Sequence, residues 1–390
     1  MKNRNVILVF IISIITLCAI TGLLIYAFEL QQQKEPIINT QNQNSQKPTK
    51  APNKSGATPT KTAALTPKPT LSPTPALSPV VLGFAGDVNF DEDSDPVAKY
   101  DAEGKNLEKC LSKNLLDEMR SVDVMMLNNE FAYSTRGTES QNKSYTFRAD
   151  PSRVDLLKEM GVDIVSLANN HALDFGPEAL EDTFDTLDNA HVDYVGAGEN
   201  IDRAKSPIYY NVGGRKIAFL AASRVIFTGS WYATDSKLGM VGTYDPTLIL
   251  QSVKEAKANS DFVVIFVHWG VERNNYPEAY QRKMAQQYID AGADVVIGCH
   301  PHVMQGIEYY KGKPIAYSLG NYWFNSSSKP SGMVKLYLDT DGSVKFQLLP
   351  VMNKNTFTYL LTDKARKKTY YDFMRNISST VTIDDDGFIQ

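Results

Sequence analysis

Phe262-Val263-Val264-Ile265-Phe266-Val267-His268-Trp269-Gly270 is an apolar run closed by a histidine, a tryptophan and a glycine. A run this short, rich in Val, Ile and Phe, reads as a strand buried on both faces. His268 then stands at the carboxyl end of that strand. The pattern recurs twice. Val295 to Ile297 leads into Gly298-Cys299-His300-Pro301-His302, and Ile164 to Leu167 leads into Ala168-Asn169-Asn170-His171. Four of the five histidines therefore follow apolar runs. In an open α/β sheet the carboxyl edge is where ligands bind. Imidazoles gathered there, with Asn and carboxylates nearby, have the composition of a metal site.

Working outward, the same alternation continues. Strands are expected at Val80 to Ala85, Val122 to Leu127, Val192 to Val195 and Ile217 to Leu220. Helices are expected at Leu107 to Arg120, Val154 to Met160, Glu178 to Asn189, Leu248 to Ala258 and Glu278 to Ala291. Strand and helix in turn predict an α/β sheet with parallel strands. Pro314 to Ser318, Met333 to Leu338 and Val344 to Leu349 read as later strands, with Asp341-Gly342 as a hairpin turn. They predict a mixed β region packed on the first sheet, followed by a terminal helix from about Lys364.

Oxygen donors join the histidines. The first strand ends in Gly86-Asp87-Val88-Asn89, so Asp87 and Asn89 reach one point, or the turn merely caps a helix. Glu130 follows the second strand directly. A carboxylate so placed needs a partner, whether a salt bridge or a shared metal. His171 and Asp174 form an acid–base pair, or Asp174 belongs to the start of the helix at Glu178. In His300-Pro301-His302 both imidazoles can face one site, with the proline setting the turn. Cys299 is either an extra ligand or a small buried residue. Nitrogen and oxygen donors favour Mn, Zn or Fe. Arg148 is an anion binder or an ion-pair partner. Glu272, Ser318 and Asn321 are candidate substrate-binding residues, and His191 reads as a surface residue.

The amino terminus speaks to location. Val6 to Phe28 is apolar and uncharged, long enough to span a bilayer of roughly 20 helical residues. Lys2 and Arg4 precede it, so residues 1–5 are expected in the cytoplasm and everything after Phe28 outside. A cleaved signal peptide and lipidation at Cys18 are the competing readings. Residues 29–79 are rich in Pro, Thr, Ser and Lys and predict an extended spacer. Its lysines are solvated or contact an anionic wall polymer. A globular domain is expected over 80–353, with an extension over 354–390. The net charge of -4 argues against nucleic acid as a partner, and three cysteines make no disulfide framework.

In order and spacing these motifs resemble the CapA-type poly-γ-glutamate capsule biosynthesis family. The resemblance runs through Gly86-Asp87, Asn129-Glu130, Leu167 to His171 with Asp174 and Gly176, and His268-Trp269-Gly270 with Glu272. It ends with His300-Pro301-His302-Val303, Glu308 and Tyr317-Ser318-Leu319-Gly320-Asn321. That family is similar to the calcineurin-like metallophosphoesterases, which implies a layered α/β/β/α sandwich with a two-metal site. By that likeness Asp87 and His302 bind the first metal, with Asn89 beside them. Glu130 bridges, and Asn170, His268 and His300 bind the second. His171 protonates the leaving group. The sequence departs from the phosphoesterase pattern at Asn89, Glu130 and Ala172. The resemblance implies a membrane-anchored extracytoplasmic protein of capsule biosynthesis, a metal-dependent hydrolase or transferase on an anionic polymer such as poly-γ-glutamate. The alternative it leaves is an accessory subunit that binds or exports polymer beside a membrane synthase.

Overall fold

A computed structural model describes residues 76–390. The expected membrane span over 6–28 and nearly all of the expected spacer lie outside the described residues. Among the described residues no helix is long and apolar enough to cross a membrane.

The chain forms a mixed α/β fold with two large sheets. In the first, Val80–Val88, Val124–Asn129, Ile164–Ser166 and Asp193–Val195 run parallel in that order. On the other side of Val80–Val88 lie Pro330–Leu338, Val344–Lys354 and Phe357–Leu360, all paired antiparallel. In the second sheet Arg215–Ser223, Phe262–His268, Val295–Cys299 and Lys313–Ala316 are parallel neighbours. Ile208–Val212 and Ile307–Tyr310 close its two edges as hairpin partners.

Alternation along each strand decides which face goes where. Leu82, Phe84, Val124 and Met126 of the first sheet share one core with Phe219, Val264, Phe266 and Ile297 of the second. The intervening residues face outward under helices. Met125 and Leu127 pack beneath Lys113–Arg120, Asp155–Met160 and Pro177–Ala190. Val263, Ile265 and Val267 pack beneath Thr247–Ala258 and Ala279–Ala291. Each such side chain, fully buried, contributes about 1.5–3 kcal/mol.

The structure revises several expectations. The parallel strands divide between two sheets rather than forming one. The later strands are not a region packed on the first sheet. Pro330–Leu338 and Val344–Lys354 belong to it, and Lys313–Ala316 joins the second. The expected division after residue 353 falls inside the strand Val344–Lys354, and Tyr370, Met374 and Ile377 of the terminal helix Lys364–Ile377 enter the core between the sheets. The helix expected from Leu107 is a short turn, Leu107–Lys109, and the helix proper is Lys113–Arg120. Between them Leu111 bridges to Thr358, which takes the backbone out of helical geometry.

The first strand runs further than expected, through Asp87 to Val88, because Asn321–Trp323 pairs with its end. That pairing demands a glycine. A Cβ on Gly86 would sit 1.8 Å from the carbonyl oxygen of Gly320, while the neighbouring Asp87 N–H donates to that oxygen at 3.1 Å. Gly86→Ala is expected to lower stability by about 1–3 kcal/mol or more through backbone displacement. Gly229→Ala, where a Cβ meets open space, is expected to stay within about 0.5 kcal/mol. Urea midpoints of the two variants beside wild type check the difference.

Candidate metal centre

The carboxyl ends of strands from both sheets meet at one place. Asp87 comes from Val80–Val88, Glu130 from just beyond Val124–Asn129, and Asn170 and His171 from beyond Ile164–Ser166. The second sheet supplies His268 at the end of its strand, and His300 and His302 just after Val295–Cys299. Asp87, Glu130 and His268 are completely buried.

Asn128 organises the carboxylates. Its Nδ2 donates to Asp87 Oδ1 at 2.8 Å and to Glu130 Oε2 at 3.2 Å. Asn169 Nδ2 donates in turn to Asn128 Oδ1, and Asn169 Oδ1 accepts the His171 N–H. The other oxygen of Glu130 is different. Oε1 is buried and accepts no hydrogen bond. It lies 3.6 Å from His268 Nε2, 3.9 Å from His302 Nε2 and 4.0 Å from His171 Nε2. His300 Nδ1 is likewise buried without a partner.

Two donor sets have ligand atoms within 4.8 Å of one another: Asp87, His268 and Cys299, and Glu130, His300 and His302. Buried polar atoms without partners are costly, and a carboxylate oxygen ringed by imidazole nitrogens is suited to a shared cation. Asn170 Oδ1 approaches His268 Nε2 at 2.6 Å, and His302 Nδ1 approaches Asn321 Oδ1 at 2.7 Å. His300 and His302 adopt φ of 93° and 56°, a region non-glycine residues rarely occupy. Holding two such residues costs on the order of 1–3 kcal/mol each, a strain typical of functional turns.

The electrostatics follow from burial. Burial, repulsion from Asp87 and their shared contact push the Glu130 carboxyl well above the usual range. Asp87 is buried too, but His302, Asn128 and His300 outweigh that and hold its carboxyl low. Burial drives His268 well below its ordinary value and His300 down to about 3. For His302 the contacts with Asp87 and Asn321 overcome burial and raise it. The imidazoles of His268 and His300 are thus neutral at pH 7, the form that ligates a metal.

Beside this cluster sits a second arrangement. Asp174 Oδ2 meets His171 Nδ1 at 2.6 Å and accepts the Phe147 N–H at 2.8 Å. Lys143 Nζ, itself largely buried, contacts Asp174 Oδ1 and the Asn170 carbonyl and lies 3.1 Å from His171 Nδ1. The Phe147 ring stacks on the imidazole at 4.2 Å. Burial holds His171 down at about 4 despite Asp174. With Nδ1 engaged by the carboxylate, Nε2 faces the Glu130 side of the site. A cavity of about 470 Å³ opens onto the cluster, lined by Asn89, His171, Glu272, His302 and Asn321 among others.

The family model described as bacterial capsule synthesis protein PGA_cap matches residues 81–326. The chain belongs to this family. It is 35% identical over 220 residues to the capsule biosynthesis protein CapA of Bacillus anthracis, covering 55% of this chain and 53% of that protein. It is 34% identical over 233 residues to the PGA biosynthesis protein CapA of Bacillus subtilis, covering 58% and 61%. A probable polyglutamine synthesis accessory protein of Mycobacterium tuberculosis is 30% identical over 213 residues, covering 52% and 56%. The chain thus spans little more than half the length of these relatives.

The region matched by the family model contains every candidate site residue read from the sequence, and the structure sorts them. Asp87, Glu130, Asn170, His171, Asp174, His268, His300, His302 and Asn321 converge. Asn89 lines the cavity, but its Oδ1 accepts the Asp91 N–H at 2.9 Å. Glu272 stands exposed at the rim. Ser318 lies beneath the site, its hydroxyl donating to the Val303 carbonyl and accepting the Gly320 N–H. Arg148 is not brought in. It stacks over Phe175 and lines a separate cavity of about 260 Å³ with Asp91 and Asp150. His191 caps the helix Pro177–Ala190 away from the cluster. Cys299 is buried, 3.2 Å from His268 Nδ1. Lys143, Asn128 and Phe147 were not foreseen. Asn128 adjoins the expected strand and is recoverable from its neighbours, whereas Lys143 sits in a polar stretch, Ser140 to Ser144, with no distinguishing pattern.

Glu130 supplies a test. Its carboxyl is raised in the folded chain, so the folded state holds that proton more tightly than the unfolded one. Stability of the metal-free chain is therefore lost as pH climbs through the ordinary carboxyl range toward the raised value. Glu130→Gln is expected to stabilise the chelator-treated chain by about 1 kcal/mol or more near pH 8, with the gap closing toward about pH 4. The same variant is expected to lose the thermal stabilisation that added Mn or Zn gives wild type. Thermal melts with and without metal across pH read both effects.

Proposed function

We propose that this chain is a metal-dependent hydrolase or transferase acting on an anionic polymer of the capsule, poly-γ-glutamate or a related chain. The observation that carries it is Glu130 Oε1, buried without a hydrogen bond and within 4.0 Å of three imidazole Nε2 atoms. The helix, sheet, sheet, helix packing supports the α/β/β/α sandwich of the calcineurin-like metallophosphoesterases as its architecture. The donor set fits one or two Mn, Zn or Fe ions.

Asp87, Glu130, Asn170, His268, His300 and His302 would hold the metal, with Glu130 placed to be shared. A divalent cation there supplies polarisation of a carbonyl or phosphoryl oxygen and an acidified water. The remaining chemistry belongs to the side chains. Asp174 fixes the His171 ring through Nδ1, leaving Nε2 to take and return a proton at the reacting centre. Phe147 shields one face of that ring from water. Lys143 and the Phe147 N–H hold Asp174 in turn, so the pair is set before substrate arrives.

The location is proposed from the sequence. Val6 to Phe28 anchors the chain in the cell membrane with Lys2 and Arg4 inside, which puts the domain outside beside a membrane polymer synthase. The names of the Bacillus relatives supply the polymer context. The name of the Mycobacterium tuberculosis relative favours a second reading, an accessory role without turnover.

The full chain purified in detergent is expected to retain Mn, Zn or Fe, and His300→Ala to lose most of it while remaining folded. Incubated with polyglutamate, wild type is expected to shorten or transfer the chain. Asp174→Asn is expected to cut that rate by about 10²-fold or more with metal retained. Elemental analysis and product sizing check the two parts. A folded wild type that stays metal-free after reconstitution overturns the proposal, and a metal-loaded chain that never alters polymer leaves the accessory reading.

A further inference from the structure

Cys299 is completely buried at the end of the strand Val295–Cys299, and the proposed chemistry gives it no task. It stands in register with His268 on the neighbouring parallel strand, and its side chain belongs to the core between the sheets. Its sulfur lies 3.2 Å from His268 Nδ1. The other ring nitrogen, Nε2, lies 2.6 Å from Asn170 Oδ1 and 3.6 Å from Glu130 Oε1. The two nitrogens of His268 therefore have different surroundings. Nε2 faces the cluster of donors, and Nδ1 faces the sulfur.

A neutral imidazole carries one hydrogen. Asn170 Oδ1 is an acceptor, so in the metal-free chain that hydrogen is on Nε2 and Nδ1 needs a donor. Asn128 Nδ2 is near, at 3.4 Å, but cannot be that donor. Its two hydrogens are spent on Asp87 Oδ1 and Glu130 Oε2, and Asn169 fixes the orientation of the amide by donating to its Oδ1. Among the described residues the Cys299 thiol is the donor that remains. A cation at Nε2 reverses the demand. It takes the lone pair of Nε2, so the ring hydrogen has to stand on Nδ1, which then needs an acceptor. The sulfur serves again, and its own hydrogen can turn to the Val267 carbonyl, 3.8 Å away. The hydrogens balance: the ring gives one from Nε2 to water in the cavity and takes one at Nδ1, and the thiol keeps its own.

We infer that Cys299 is a positioning residue for His268, whose thiol donates to Nδ1 in the metal-free chain and accepts from Nδ1 once Nε2 ligates a cation. The inference rests on the reading of the cluster as a metal centre. A group that only donates would hold His268 in the form that cannot ligate. A group that does neither would leave Nδ1 buried without a partner in both forms. A thiol does both without moving the backbone. Sulfur as a direct ligand is the competing role, because donors of Asp87, His268 and Cys299 also lie within 4.8 Å of one another.

The test uses the full chain in detergent micelles, with zinc and cobalt(II) as probes. Cys299→Ala is expected to weaken zinc binding by about tenfold or more. Cys299→Ser, close to alanine in size but able to donate and accept, is expected to recover most of that loss. A packing role alone would lower both variants together. Nitrogen NMR of the histidine-labelled chain, with the His268 signals assigned by their loss in His268→Asn, is expected to find the ring hydrogen on Nε2 before zinc and on Nδ1 after it. Cobalt-loaded wild type is expected to show no sulfur-to-cobalt charge-transfer band. Such a band overturns the inference and makes Cys299 a ligand. Equal zinc affinity in Cys299→Ala and wild type overturns it, as does a ring hydrogen already on Nδ1 without metal. A wild type that takes up neither metal overturns the reading of the centre and this inference with it, whereas normal uptake with any of the other adverse results overturns the role of Cys299 alone.

Discussion

Glu130 is the residue around which the rest of the site is arranged. A carboxylate buried beside another carboxylate is unfavourable unless something positive stands close by. Asp87 is relieved by Asn128, His302 and the His300 N–H. Glu130 has only Asn128 on one oxygen, and its other oxygen faces His268 and His171, which burial keeps neutral, and His302, which Asp87 and Asn321 raise. Such an arrangement is poor for the stability of the isolated chain and good for a cation. The left-handed backbone at His300 and His302 adds to the same imbalance. A cation bound here would therefore couple its affinity to fold stability through one cluster, since whatever binds only the folded state stabilises it by mass action.

The two sheets divide the labour. Carboxylates and amides come from the first sheet, and three of the imidazoles from the second. Neither sheet alone presents a ligand set, so the core between them does more than bury surface. Leu82, Phe84 and Met126 against Phe219, Val264 and Phe266 fix the separation at which oxygen and nitrogen donors meet. Between Lys313–Ala316 and Asn321–Trp323 the chain passes from the second sheet to the first, where Asn321–Trp323 pairs beside Asp87. The close backbone approach of Gly86 and Gly320 is the local condition for that crossing.

Much of this was legible in the residues. Apolar runs ending in His268, in His300-Pro301-His302 and in Asn170-His171 marked both strands and site, because burial on two faces leaves no alternation to confuse the reading. What local sequence does not carry is partnership between distant segments. The parallel strands look alike whether they share one sheet or two, and Pro330–Leu338 gives no sign that it pairs with Val80–Val88. Arg148 had the right chemistry and the wrong neighbours, since its guanidinium stacks on Phe175. Lys143 had no local signal at all. Its role depends on a loop folding back across Asp174, a contact separated by 31 residues.

Lys143 also bears on how the His171–Asp174 pair is used. Each Asp174 oxygen is already engaged, one by Lys143 and the other by His171 and Phe147. A carboxylate so fully bonded is a poor proton acceptor and a good fixed anchor. It locks the ring orientation and keeps the Nδ1 side occupied, which leaves Nε2 as the one position on His171 that can exchange a proton with a bound molecule. The cationic Lys143 and the buried surroundings both oppose the imidazolium, and Asp174 favours it. The balance keeps the resting ring neutral, so proton transfer at Nε2 begins with uptake. If the centre is catalytic as proposed, that order would let the same ring first take up a proton at Nε2 and then return it.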